Sequence, residues 1–337
     1  MKRLLLTIAL TISPIVAQCD WNEDGVLNVI DVVETVDCIL NDCFDEDIYG
    51  CTDPDAINYN PNANIDNGTC EYTSDFEMVL IIGGTFEMGD IWDVGQNDEQ
   101  PIHTIILDSF EISNKEITNQ QYIEYLTEAL SMGVIFVTAT SVTGPWNGDG
   151  NYEYVDLDDS DCQITYSTGN FSVNDGGSNF PMNEVSWYGA SAYAEFYGYR
   201  LPAESEWEYA SRDISSCDDA KWSGTSLESE LAGYAWYDEN WDGVWVPEDV
   251  ATKLPNANGL YDMSGNVNEW CNDFYNATYY NESPQSNPQG PSTGSTRVFR
   301  GGNFVGVSNS LRCSERDDNY PDETTVDIGF RVAKSLE

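Results

Sequence analysis

From residue 258 to residue 333 the chain is a succession of short runs: GLYDMSGNVNEW (259–270), RVFRGG (297–302), then RCSER and GFRVA. Gly and Asn accept left-handed backbone, and Asn and Asp bond their own main chain, so runs of this kind make turns. Tyr, Trp, Gly, Asn and Asp are dense throughout the second half of the sequence. Such a chain has to fold as long ordered loops pinned by aromatic packing, hydrogen bonds and ions rather than as long helices and strands. Within DMSGNVNE, Asp262 and Glu269 bracket a segment that only a looped backbone would close around one hard cation. The alternative is that Asn266 and Glu269 cap turns while Trp270 fills core.

Upstream, from Phe76, the pattern is one of short strands and tight turns: MVLIIGG, GTFEMG and HTIILDSFEIS alternate apolar and polar residues or end at Gly-Gly. Three helices are expected. Thr118 caps one that shows Tyr122, Leu126 and Ala129 on a single face, and Ser186 caps another that shows Trp187, Ala190, Ala194 and Tyr197. Pro202 starts the third, with Glu204 and Glu206 near its positive end and Trp207 and Ala210 facing inward.

In order along the chain, GGTFEMGD, EQPIH, KEITNQQYIEYL, FPMNEVSWYGASAY, RLPAESEWEYASR and the runs above resemble the formylglycine-generating enzyme, or sulfatase-modifying factor, family over residues 76–334. The resemblance implies an α+β fold, a much-elaborated C-type-lectin-like domain with little regular secondary structure. It also implies a calcium site built from the side chains of Asp262 and Glu269 and the backbone oxygens of Gly265 and Val267. A second calcium site of the family falls near residues 236–244, where its motif is degraded and no ligands carry over.

Enzymes of this family oxidise a substrate cysteine with a copper(I) ion held by two thiolates, which suit that soft ion. The resemblance places those cysteines between the Gly-Gly and the later Arg-Cys, but the interval 303–312 has none, and Asn303 replaces a serine of the enzyme's site. Copper is therefore not expected, and the reading is a non-catalytic protein that binds a ligand. The rival reading is a formylglycine-generating or related oxidase with its metal ligands elsewhere. His103, the one histidine, lies in a strand-like run and reads as a core-edge residue rather than a catalytic base. The family's disulfide positions correspond to Ala194, Ser211 and Val332, with only Cys313 retained. We expect Cys271 to pair with Cys313, and Cys162 with Cys217.

The expected ligand face joins Trp187, Trp270, Asn303, Phe304, Ser308, Asn309, Glu315, Arg316, Asp317, Asn319 and Tyr320, an aromatic platform flanked by polar groups that suits a glycan or a peptide. Exposed Asn and Asp in such loops also simply build turns.

The first 73 residues read as separate modules. Residues 1–18 have a basic start, an apolar run and small residues before Gln18, the pattern of a secretory signal peptide, too short to span a bilayer. Cys19 would be the acylated residue of a lipoprotein, but Gln18 stands where such signals need a small side chain. In residues 19–46, Asp20, Asn22, Asp24, Asn28 and Asp31 take the side-chain positions of an EF-hand-type calcium loop, with Val26 at the carbonyl position and Gly25 at the turn. With the apolar stretch that follows, this repeat resembles one half of a dockerin, and so a calcium-stiffened spacer or a connector to a scaffold partner. In residues 47–73, Cys51 and Cys70 bracket a small module whose Asp53, Asp55, Asn62, Asn64 and Asp66 suit either a second calcium or turns. The main domain is then 74–337.

Export makes the nine cysteines disulfide candidates. A formal charge of -46, from 59 acidic and 13 basic residues, repels phosphate backbones and anionic lipid, which disfavours nucleic acid and membrane-surface binding, and neither nucleic acid nor membrane insertion is expected. The expected setting is extracellular.

Overall fold

The structure, a computed structural model, describes residues 48–50, 60–66, 76–212, 220–241 and 243–336. The chain divides into two compact units, Met1–Thr73 and Ser74–Glu337. In the first, β1 (Tyr49–Gly50) pairs in parallel with β2 (Ile65–Asp66), and Asn64 Oδ1 accepts the Ile48 N–H at 2.9 Å. The proposed signal peptide, the calcium loop of Asp20, Asn22, Asp24, Val26, Asn28 and Asp31, and Cys51 and Cys70 lie outside the described residues.

In the second unit, α1 (Asn119–Ser131) starts at a reciprocal cap. Thr118 Oγ1 accepts the Gln121 N–H, and Gln121 Oε1 accepts the Thr118 N–H at 2.8 Å. Its face of Tyr122, Leu126 and Ala129 is completely buried. The helix α2 (Trp187–Phe196) is capped by Ser186, which accepts the Gly189 N–H at 3.1 Å. The third helix, α3 (Glu204–Ser211), begins two residues after the expected Pro202, because Glu206 reaches back to the Ala203 N–H at 2.9 Å and makes Ala203 the cap. Every residue of α3 is buried, so its glutamates are committed to the interior. A short turn of helix, α4, covers Glu228–Leu231.

The strands form small mixed sheets. β3 (Met78–Ile81) and β16 (Ala333–Ser335) flank β6 (Phe110–Ser113), while β4 (Gly84–Met88) and β5 (His103–Leu107) make a hairpin. β7 (Phe136–Val137), β8 (Ser141–Trp146) and β9 (Asp149–Asp156) form a third sheet, and β10 (Ile164–Ser167) pairs with β11 (Asn170–Val173). The sheet that positions the site runs β14 (Arg316–Asn319), β13 (Arg297–Arg300), β12 (Asn268–Phe274), β15 (Ile328–Gly329), with only the last pair parallel. Its register sets Glu269 opposite Arg300 and Arg300 opposite Arg316, one charged row across three strands.

The core is aromatic. Tyr122 stacks on Tyr193 with ring centroids 5.7 Å apart, and Tyr193 meets Phe330 edge-on at 5.3 Å. Trp187 and Trp270 belong to the same buried cluster, and Trp207 to a second one beneath α3. His103 sits in β5 as expected, 4.5 Å from the Tyr280 ring, with Nδ1 placed to donate to the Pro101 carbonyl at 3.0 Å.

Candidate functional site

Around α3 the interior is built of ion pairs. Glu208 Oε1 takes the Arg212 guanidinium at 2.8 Å and the Gly89 N–H at 2.9 Å, and its other oxygen takes Arg300. Glu204 is held by both Arg316 Nε and Nη2 at 2.7 Å, and Glu99 by Arg312 at 2.6 and 2.9 Å. Burial alone would raise the Glu204 carboxyl, but Arg316 and Arg300 outweigh it and hold the group below its ordinary range. Paired fork-to-fork in this way, buried guanidinium and carboxylate satisfy each other's desolvated donors and acceptors.

The expected calcium residues meet in a similar setting. Glu269 is completely buried and accepts from Arg331 Nε and Nη2, both at 2.6 Å, and from Trp207 Nε1 at 2.7 Å. Asp262 stands nearby with φ 56°, its Oδ2 accepting the Ala251 N–H at 2.6 Å and its buried Oδ1 without a partner. Burial pushes the Asp262 carboxyl up to about 6 against the pull of the Ala251 N–H and Arg331, and Glu269 adds to the rise. Glu116 completes the cluster, its oxygens accepting the Asn266 side-chain amide at 2.9 Å and the Val267 N–H at 3.2 Å. Burial, then Asp262 and Glu269, raise its carboxyl well above the ordinary range. The left-handed φ of 84° at Gly265 makes the turn that allows this convergence; a Cβ there would stand 2.2 Å from the Trp236 carbonyl. Asp262 Oδ1 therefore fits a hard cation, whereas Glu269 already serves Arg331. Among the described residues no group of three or more His, Cys, Asp or Glu side chains is arranged to hold a metal ion.

Beside this interior lies an open cleft of about 150 Å³, bordered by Asn268, Asn303, Ser310, Glu315, Asp317 and Asp327, with Phe299, Arg300, Gly301 and Gly302 also lining it. Asn303 Nδ2 donates to Asp327 Oδ2 at 2.7 Å, which fixes the amide against the opposite wall. Burial pushes the Glu315 carboxyl up to about 7 although Arg312 contacts it, and burial with Asp318, Asp98 and Asp327 also raises Asp317. No cysteine lines this cleft. Its donors are carboxylates, amides and a hydroxyl, which do not fit copper(I).

The expected ligand face is split by the fold. Asn303, Glu315 and Asp317 border the cleft, and Asn309 and Tyr320 are exposed. Ser308 donates to Glu228 at 2.8 Å, and Asn319 accepts its neighbour's N–H. Trp187, Trp270, Phe304 and Arg316 are instead core residues, a correction to the expected platform. Trp187 Nε1 donates to the Cys271 carbonyl and Trp270 Nε1 to that of Val185, so each buried indole has a partner inside. Phe304 lies beneath Trp241 and Trp245, with ring centroids 5.9 and 6.0 Å away. Arg316 is consumed by Glu204. Asn268, Ser310 and Asp327 escape a reading of motifs because only the β12–β15 register, Asn268 opposite Ile328, carries Asp327 to the cleft wall.

The expected Cys271–Cys313 bridge is also corrected. Both are separate buried thiols, Cys313 Sγ donating to the Ser211 carbonyl at 3.6 Å and Cys271 Sγ lying 4.0 Å from the Glu269 carbonyl. Cys162 is likewise a free, buried thiol, and its expected partner Cys217 lies outside the described residues. Burial pushes the Cys162 thiol up to about 12 and raises the other two. In the native protein at pH 8 these three cysteines are expected to resist alkylation until denaturant is added, as mapped by peptide mass spectrometry. Rapid labelling of Cys271 or Cys313 would contradict their burial.

Comparison with known proteins agrees with this architecture. The sulfatase-modifying factor enzyme 1-like domain matches residues 66–336. The chain is 37% identical to serine/threonine-protein kinase pkn1 of Chlamydia pneumoniae over 77% of its own length, but it spans only 38% of that protein. It is 33% identical to the formylglycine-generating enzyme of Streptomyces coelicolor, covering 77% of this chain and 90% of the enzyme. In structure it is similar to Treponema denticola variable protein 1, with a TM-score of 0.57 and 26% identity over 79% of this chain and 98% of that one. With its lectin-like mixed sheets, few helices and the match over most of its length, the chain belongs to the sulfatase-modifying factor, or formylglycine-generating enzyme-like, family.

Proposed function

We propose that this protein is a secreted, non-catalytic member of its family that uses the cleft at Asn303 to bind a positively charged extracellular ligand, a peptide presenting a lysine or arginine. The observation that carries the reading is the lining of the cleft: Glu315, Asp317 and Asp327 carboxylates with the amides of Asn268 and Asn303, and no thiol. A cationic side chain entering there finds carboxylate and amide acceptors in the lining, and the chain's formal net charge of -46 favours its approach. Calcium belongs to this reading as a structural ion, held through Asp262 Oδ1 and, in the arm, by the EF-hand-type loop of Asp20 to Asp31. There it would neutralise buried carboxylate charge. The arm itself suits a scaffold connector.

The test is a peptide and glycan array probed with the full chain, followed by calorimetry on the best peptide. Asp317→Asn combined with Asp327→Asn is expected to weaken binding at least tenfold, about 1.4 kcal/mol. Selective binding of neutral glycans, unaffected by those substitutions, would overturn the peptide reading.

The second reading, an oxidase, draws on the 33% identity to a formylglycine-generating enzyme. Incubation with copper, oxygen and a cysteine peptide is expected to leave the peptide thiol intact. Its conversion to an aldehyde would restore catalysis.

A further inference from the structure

Glu99, Glu204, Glu208 and Glu269 each meet a guanidinium within 3 Å, at 2.6, 2.7, 2.8 and 2.6 Å. Glu184 is buried to the same degree, 2% exposed, yet its Oε2 has no hydrogen-bond partner. The charged groups that act on it most strongly are all acidic: Asp159 first, then Asp161 and Asp156. Burial and these neighbours push its carboxyl up to about 7.

The bridge between Val155 and Val185 is isolated and antiparallel and brings the segments of Asp156 and Glu184 side by side, while Glu184 itself has a left-handed φ of 50°. On the other side the Glu184 N–H donates to the Thr325 carbonyl at 3.0 Å, and Thr325 Oγ1 is another buried oxygen without a partner. Thr324, on the same segment, offsets part of the rise of the Glu184 carboxyl. In the loop after β9, Asp156 and Asp159 each use one carboxylate oxygen to hold an N–H two residues on, at 2.9 and 2.8 Å. Glu184 Oε2 and Thr325 Oγ1 are thus two buried oxygens without partners on adjoining segments, and Asp159, Asp161 and Asp156 act electrostatically on the first.

We propose that Glu184 anchors a calcium site distinct from Asp262, with Glu184 Oε2 and Thr325 Oγ1 as its inner ligands and Asp159 and Asp161 closing over the ion from solvent. A hard-oxygen set with flexible outer ligands suits calcium, which accepts six to eight oxygens at about 2.3–2.6 Å, better than magnesium with its strict octahedron. The Cys162 thiol, which feels the Glu184 charge, is held protonated by burial and directed to the Ile164 carbonyl at 3.5 Å, so it does not serve a thiophilic metal. Among the described residues no three carboxylates converge, so binding would require Asp159 and Asp161 to turn inward with the ion. The ion would tie the β9 loop to residues 324–325, one residue short of Asp327 of the cleft.

The full chain, stripped with chelator, is titrated with calcium chloride by calorimetry and followed by thermal melting. Glu184→Gln is expected to bind one calcium fewer than the natural chain, while melting in chelator no lower than it, because a buried charge without a counter-ion has been removed. Asp159→Asn, at an exposed position that threatens folding little, is expected to weaken one calcium-binding event at least tenfold. Asp262→Asn serves as the control and should leave the Asp159-dependent event in place. An unchanged calcium count in Glu184→Gln, or unchanged affinities in Asp159→Asn, overturns the proposal.

Discussion

Replacing Arg331 with methionine is expected to lower the thermal midpoint of the main domain by about 10 °C, the equivalent of about 3–5 kcal/mol at this size. Arg331 is fully buried, and its two contacts to Glu269 at 2.6 Å are the salt bridge nearest three carboxylates, Glu116, Asp262 and Glu269. Methionine keeps most of the volume but leaves that charge with only hydrogen bonds. Its guanidinium also donates to the carbonyls of Ser113 and Tyr261, at 3.1 and 2.8 Å, so the loss unfastens β6 from the loop before β12. The comparison is Arg200→Met. Its partner Glu206 is also 2.6 Å away, but the arginine side chain is 31% exposed, and a pair wetted in this way contributes about 1 kcal/mol or less. Equal shifts for the two variants would show that burial does not set the strength of these pairs. If calcium binds at Asp262, it should return part of the stability lost in Arg331→Met.

The second large effect is expected at Trp187 and Trp270. Truncating either to alanine should cost about 3–5 kcal/mol in denaturant titrations while leaving the ligand affinity of the folded fraction unchanged. Both indoles are buried and bonded to main-chain carbonyls. Trp187 has a further duty: the Arg297 guanidinium lies 3.7 Å from its ring and 3.6 Å from that of Phe274, sandwiched between them. Removing one face of the sandwich leaves a desolvated cation with less to stack on, so Trp187→Ala is expected to be the more damaging of the two. A variant that keeps its unfolding midpoint but loses ligand would return these tryptophans to the binding surface.

These two cases show what could and could not be read from the sequence. The caps at Thr118 and Ser186 were legible because the donor and acceptor lie within three residues of each other. The lectin-like family was legible because its motifs are runs of turn-forming residues whose order survives. The direction in which an aromatic faces is a different kind of information. Trp270 alternates with its neighbours along β12, yet residues 268–271 are all buried, since that strand is covered on both faces and gives no polar-apolar rhythm. Arg316 looked like a ligand group because its partner Glu204 is 112 residues away, and Arg312 finds Glu99 across 213. Pairings at such separations are set by the fold, and no local spacing announces them. The same holds for Asp327, which reaches the cleft only through a two-residue parallel pairing.

The main domain's described thiols stay apart while its glutamates and arginines lock together. These salt links are fastenings that a reductant does not cut, and the environment that would loosen them is acid, which discharges the glutamates.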